Sequence, residues 1–188
     1  MKASRELLQS GEHADFTFCI DGERIPAHSQ LIFVRAADTA LARMLSMPMK
    51  ELNEREADIH DIPIGIFRLL LEFIYTSYCT VPEDIASTLD LYIAADMLQI
   101  LDVSESARLL LMKQLKSASL TEQCLALEKF GDVQALDAAI FKFICTKSIF
   151  RNWDQVQSLE AWQKVTAKSA TVEEFGIIAR NAATFSSK

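Results

Sequence analysis

Residues 16–27 place the tightest constraint on what this chain can fold into. Phe16, Phe18 and Ile20 alternate with Thr17 and Cys19, the period-two pattern of a strand with one buried face. Asp21-Gly22 then supplies the two positive-φ positions of a tight hairpin turn, and the chain returns through Glu23 to Ile25. Pro26, which has no amide hydrogen, is expected to end the hydrogen bonding of the second strand. A third strand is expected over Ala57 to Ile59, between the charged Glu54-Arg55-Glu56 and the turn at Asp61 to Pro63.

From Pro63 onward the period changes. Proline is tolerated in a first helical turn, and Ile66, Leu70, Phe73 and Ile74 then recur at helical spacing as an apolar stripe. A second helix is expected from about Pro82 to Leu98. Asp102 with Glu105 has capping-box-like spacing, and Val103, Ala107, Leu110, Leu111 and Gln114 follow on one side of the next helix. The fold class these patterns describe is α+β, a small sheet covered by helices.

After Lys116 there is no Gly/Pro-rich linker, only Ser117-Ala118-Ser119-Leu120, so the second region is expected to pack directly on the first. Thr121 can cap a helix ending near Gly131; Leu136, Ile140, Phe143 and Ile144 mark another; Thr171 with Glu174 forms a capping box before Phe175 and Ile178. The tail therefore reads as all helix.

Gross properties narrow the function. With 188 residues, the chain can hold one ordinary domain and a smaller appendage. No run approaches the roughly 18 to 20 apolar residues of a membrane helix, so a soluble protein without a membrane partner is expected. Met1-Lys2-Ala3-Ser4-Arg5-Glu6 lacks the apolar stretch of a secretory signal. Cys19, Cys79, Cys124 and Cys145 lie far apart, and they read as reduced, mostly buried thiols of a cytoplasmic or nuclear protein. Residues 1 to 116 hold 11 Lys+Arg against 18 Asp+Glu, whereas residues 117 to 188 hold 8 against 8. The first region thus carries the whole imbalance, which repels phosphate and argues against a nucleic-acid partner.

Site chemistry is sparse. His13, His28 and His60 have no companions at ligand spacing, so no metal is expected. His28, following Pro26-Ala27 at the start of a helix, reads as a core or capping histidine. Five unclustered glycines make no phosphate-cradling loop, and no local motif joins a cysteine to a base. Neither catalysis nor a cofactor is expected.

Several separate motifs then occur in fixed order: Ala14-Asp15-Phe16-Thr17-Phe18, Ile25-Pro26-Ala27-His28, Met49-Lys50-Glu51, Leu71-Glu72-Phe73-Ile74-Tyr75-Thr76 and Ala94-Ala95-Asp96-Met97-Leu98-Gln99. Their order resembles that of a BTB/POZ domain, and the resemblance spans residues 14 to 116. In family members that engage cullin-3, a hydrophobic-X-Glu motif presents an apolar contact and a carboxylate; Met49 and Glu51 match both positions. Tyr75 has two readings, a core tyrosine whose hydroxyl reaches the surface or a residue bordering the cullin-facing side. Leu7, Leu8 and Leu31 stand where related adaptors bury apolar side chains across a two-fold interface; the other reading is that they fill the monomer's own core. Ser29 replaces the basic residue that often follows the Ala-His pair, so the charged pocket that some transcription-factor relatives form with Asp15 is not carried over.

The tail resembles the shortened BACK helices that follow the BTB domain in speckle-type, MATH-containing adaptors, through Leu120-Thr121-Glu122-Gln123-Cys124-Leu125, Phe143-Ile144 and Leu159-Glu160-Ala161-Trp162. The resemblance implies a BTB/POZ domain with an amino-terminal helix over 1–116 and a BACK-like helical region over 117–188. It implies a homodimeric adaptor that docks on cullin-3 and recruits an unknown substrate or second subunit for ubiquitination. The rival expectation is a BTB oligomerisation scaffold of a transcriptional or structural assembly without cullin binding.

Overall fold

The computed structural model describes residues 2–46, 55–131, 152–156 and 158–168, within two compact units, Met1–Leu109 and Leu110–Lys188. The first unit opens with helix α1 (Lys2–Ser10), followed by strands β1 (Phe16–Ile20) and β2 (Glu23–Ala27). Helices α2 (Ser29–Arg35) and α3 (Ala40–Ser46) come next, then strand β3 (Glu56–Asp58) and helices α4 (Ile64–Thr76) and α5 (Ile85–Met97). Helix α6 (Leu101–Ser117) contains the division between the units, and α7 (Leu120–Gly131), α8 (Trp153–Val156) and α9 (Glu160–Lys168) follow. A small sheet with many helices is the expected α+β class.

The hairpin forms as its residues require. Asp21 and Gly22 take φ of 50° and 84°, and Ile20 pairs with Glu23 across this two-residue turn. Phe16, Phe18 and Ile20 are buried, whereas Thr17 and Cys19, on the opposite face, are only half-buried. The third strand runs parallel to β1, so the sheet order is β2-β1-β3 and the crossover between the parallel strands carries α2 and α3.

Pro26 does not end the second strand, contrary to expectation. It lies opposite Thr17, whose amide donates to the far side, to the Arg55 carbonyl at 2.9 Å. The Thr17–Pro26 pair is therefore a non-hydrogen-bonded one, and the proline nitrogen faces the open edge of the sheet, where no donor is required. Gly11 accounts for the approach to this hairpin. Its φ of 62° closes α1 with a bond from its amide to the Leu7 carbonyl (3.1 Å), and a Cβ there would lie 2.6 Å from Pro26 Cγ.

Helix α4 covers the sheet. Pro63 precedes its first turn, and Ile66, Phe67, Leu70, Leu71, Ile74 and Tyr75 are buried, a wider stripe than the sequence period marked; Phe73 is only half-buried. Phe67 meets Phe18 edge-on with ring centroids 5.2 Å apart, which ties the helix to the strand.

Two helix caps differ from expectation. Helix α6 begins before Asp102: the Ile100 carbonyl accepts from Val103 and Ser104, and Glu105 pairs with Arg108 at 2.7 and 2.8 Å instead of reaching back. In the second unit Ser119, not Thr121, caps α7. The Ser119 amide donates to Glu122 Oε2 (2.8 Å) and the Glu122 amide to Ser119 Oγ (3.3 Å), a reciprocal capping box. Helix α7 packs on α9, with Cys124, Ala126, Leu127, Ala161 and Trp162 buried, and Gln123 Nε2 donates to the Leu115 carbonyl at the end of α6 (2.8 Å). The expected helix through Leu136 to Ile144 and the Thr171–Glu174 box lie outside the described residues.

Candidate protein-interaction site

Tyr75, near the end of α4, is 0% exposed. The reading that put its hydroxyl at the surface is therefore corrected: the oxygen accepts from the His28 amide at 2.8 Å and lies 2.8 Å from His28 Nδ1. His28 Nε2 lies 2.8 Å from the Glu12 carbonyl. A carbonyl only accepts, so Nε2 carries the proton of the neutral ring, and Nδ1 is left to accept from the tyrosine hydroxyl. Burial pushes the Tyr75 phenol up, against the opposing bond from the His28 amide. Arg35 adds a bond from Nη1 to the Tyr75 carbonyl at 2.6 Å. One tyrosine thus joins the turn after α1, both ends of α2 and the end of α4, and His28 is the expected structural histidine.

Asp15 is also used within the fold. Its carboxylate accepts from the Ser29 amide at 2.7 Å and from the Ser29 hydroxyl, at the first turn of α2. Burial opposes ionisation, but the bonds from Ser29 outweigh it and hold the carboxyl below its ordinary value. Ser29 therefore occupies the acid that a basic residue would have met.

Leu7 and Leu8 on α1 and Leu31 on α2 are each half-buried within a single chain. They are neither core nor free surface. Helix α1 packs on α4, where Arg5 pairs with Glu72.

More exposed apolar side chains lie elsewhere. The Ala40 amide donates to the Leu98 carbonyl at 2.9 Å, and the Arg43 guanidinium donates to the Gln99 side-chain oxygen. These bonds tie α3 to the turn between α5 and α6. On the elements so joined, Met44 is 38% exposed, Met97 49% and Leu101 73%. Sequence reading passed over Leu101, which stands two positions from Val103, about 200° round the helix from that buried side chain. Met49 and Glu51 lie outside the described residues, in the stretch that follows α3 and precedes β3.

The remaining reactive side chains are quiet. Burial pushes the Cys124 thiol up to about 11, while a bond to Glu56 raises that of Cys19 and burial raises that of Cys79. Cys19 and Cys79 are only half-buried, less than expected, and Cys145 lies outside the described residues. Among the described residues no group of histidine, cysteine or acidic side chains could hold a metal, and no helix is long and apolar enough to cross a membrane.

The family model described as BTB/POZ domain matches residues 4–115. BTB and MATH domain-containing protein 40 of Caenorhabditis elegans is 25% identical over 167 residues, covering 87% of this chain and 40% of that protein. Kelch-like protein 40a of Danio rerio is 26% identical over 175 residues, covering 89% and 27%. BTB/POZ and MATH domain-containing protein 5 of Arabidopsis thaliana is 32% identical over 112 residues, covering 60% and 25%. The chain spans between a quarter and two fifths of the length of these relatives.

Proposed function

The chain belongs to the BTB/POZ domain family, a protein–protein interaction module, and on that premise we propose that it is a homodimeric adaptor that docks on cullin-3 and holds a substrate for ubiquitination. The observation that carries this reading is the exposure of Met44, Met97 and Leu101 on α3 and on the two sides of the α5–α6 turn tied to it, α3 being the element that precedes Met49 and Glu51 in the sequence. Met49 supplies a flexible apolar knob and Glu51 a carboxylate that fixes orientation. Tyr75, fully buried, serves the cullin-facing side by holding α2 against α4, not by touching the partner.

In this reading residues 1–116 form the BTB unit and 117–188 a BACK-like extension, and Leu7, Leu8 and Leu31 close a two-fold interface. The protein works in the cytoplasm or nucleus and transfers nothing itself; it is not an enzyme. It raises the effective concentration of a bound substrate near the ligase machinery.

Calorimetry against the cullin-3 amino-terminal domain tests the proposal. The parent should bind at micromolar or tighter affinity, whereas Met49→Ala with Glu51→Ala should lose about 2 kcal/mol while remaining folded. No parental binding at about 10 μM, equivalent to ~7 kcal/mol, would make the oligomerisation scaffold the better reading.

A further inference from the structure

We infer that docking is under redox control at Met44 and Met97, whose oxidation to methionine sulfoxide by hydrogen peroxide weakens the hold on cullin-3. The inference rests on the cullin-docking reading and names a regulation of that same site.

Methionine is a residue of protein interiors, and the fold here divides its methionines unequally. Among the described residues there are three: Met112 on α6 is half-buried, whereas Met44 on α3 and Met97 at the end of α5 are exposed. Their neighbours carry the packing, since Leu41, Ala42 and Leu45 are buried beside Met44, and Ala94, Ala95 and Leu98 beside Met97. The two elements are joined by the Ala40 amide on the Leu98 carbonyl and by the Arg43 guanidinium on Gln99, bonds that involve neither sulfur. A polar atom added to either methionine therefore leaves the fold in place and alters only what a partner meets.

The described cysteines compete poorly for peroxide. A thiol attacks it as the thiolate, and all three thiols are held protonated: the bond to Glu56 raises Cys19, burial raises Cys79, and burial pushes Cys124 up to about 11. A thioether has no proton to lose, so its lone pair is available at any pH. That lone pair attacks one peroxide oxygen; the S–O bond forms as the O–O bond breaks. The proton on the transferred oxygen passes to the departing hydroxide, which leaves as water. Sulfur loses two electrons and the peroxide gains them. The product is a polar acceptor in place of a flexible apolar group. Burying that oxygen in a contact made for an apolar side chain, with no donor to meet it, opposes binding.

The test uses the unmodified full chain, partly oxidised with hydrogen peroxide and freed of residual peroxide by catalase. It is passed over a limiting amount of immobilised cullin-3 amino-terminal domain, and peptide mass spectrometry reads each methionine in the bound and unbound fractions. Sulfoxide at Met44 and Met97 should form before sulfoxide at Met112, and its ratio to methionine should be at least about tenfold lower in the bound fraction. Sulfoxide at Met112 should divide equally, and a thermal melt should match that of the untreated chain. Equal division of Met44 and Met97 sulfoxide between the fractions would overturn the inference while leaving the docking reading intact. So would a lowered melt, which would make the loss one of folding. If the untreated chain is not retained by cullin-3, the docking reading itself fails and this regulation fails with it.

Discussion

The carboxyl end of α4 and the junction of α3 with the α5–α6 turn use their side chains in opposite ways. At the first, Tyr75 is buried and its hydroxyl, its carbonyl and both nitrogens of His28 meet partners inside the chain. At the second, the backbone is just as firmly tied, through Ala40 and Leu98, yet Met44, Met97 and Leu101 are turned outward. Buried polar groups are costly unless paired, so the first region is complete once the chain has folded. Apolar surface left in water gains roughly 25 cal/mol per Å² only when something covers it, so in our proposal it is the partner that completes the second region.

The contrast can be broken most sharply at Tyr75. Tyr75→Ala should cost about 3–5 kcal/mol of stability, read in a urea or thermal melt, because a fully buried aromatic leaves a cavity as well as unpaired groups on His28. At the other region the order of effects reverses. Leu101→Asp should leave the melt within about 0.5 kcal/mol of the parent, as exposed positions do, yet weaken cullin-3 binding at least tenfold in calorimetry, ~1.4 kcal/mol. A large loss of stability with binding intact would place Leu101 in the core side of the comparison and remove the patch as a site.

Tyr75→Phe sharpens the first region further by keeping the ring and deleting only the hydroxyl. We expect a loss of about 1 kcal/mol, since the His28 amide and Nδ1 lose their partner at a half-buried position that water can partly reach. The smallest effect belongs to Ser29→Ala, which removes one of the two Ser29 bonds to Asp15. The folded carboxyl of Asp15 lies below its ordinary 3.8, so its stabilisation is fully present above 3.8 and is lost as pH falls from there through the lowered folded value. Parent and variant should therefore differ by less than about 1 kcal/mol near neutral pH, and their melting temperatures should converge below about pH 4. A difference that grows in acid would show that Ser29 acts through some group other than Asp15.

Much of this molecule was legible from local pattern, because a period of two and an Asp-Gly pair restrict the backbone before any tertiary contact exists. The alternation of Phe16, Phe18 and Ile20 and the turn at Asp21-Gly22 required no knowledge of what covers them. The ordered motifs also carried the family, and the match over residues 4–115 agrees. Residue-level assignments failed where two local choices were nearly equal in energy. Ser119 and Thr121 are both good caps, and only the start of α7 decided between them. Proline's missing donor matters in the middle of a sheet and not at its edge, and the edge was set by β3 pairing with β1 from the other side. Tyr75 turned inward because His28, 47 positions away in the chain, offers both a donor and an acceptor to its hydroxyl. The sequence by itself determined the hairpin, the helical stripes and the family. Tertiary structure alone decided which polar atoms are consumed inside and which apolar side chains remain outside, because those outcomes depend on partners that no local period can place.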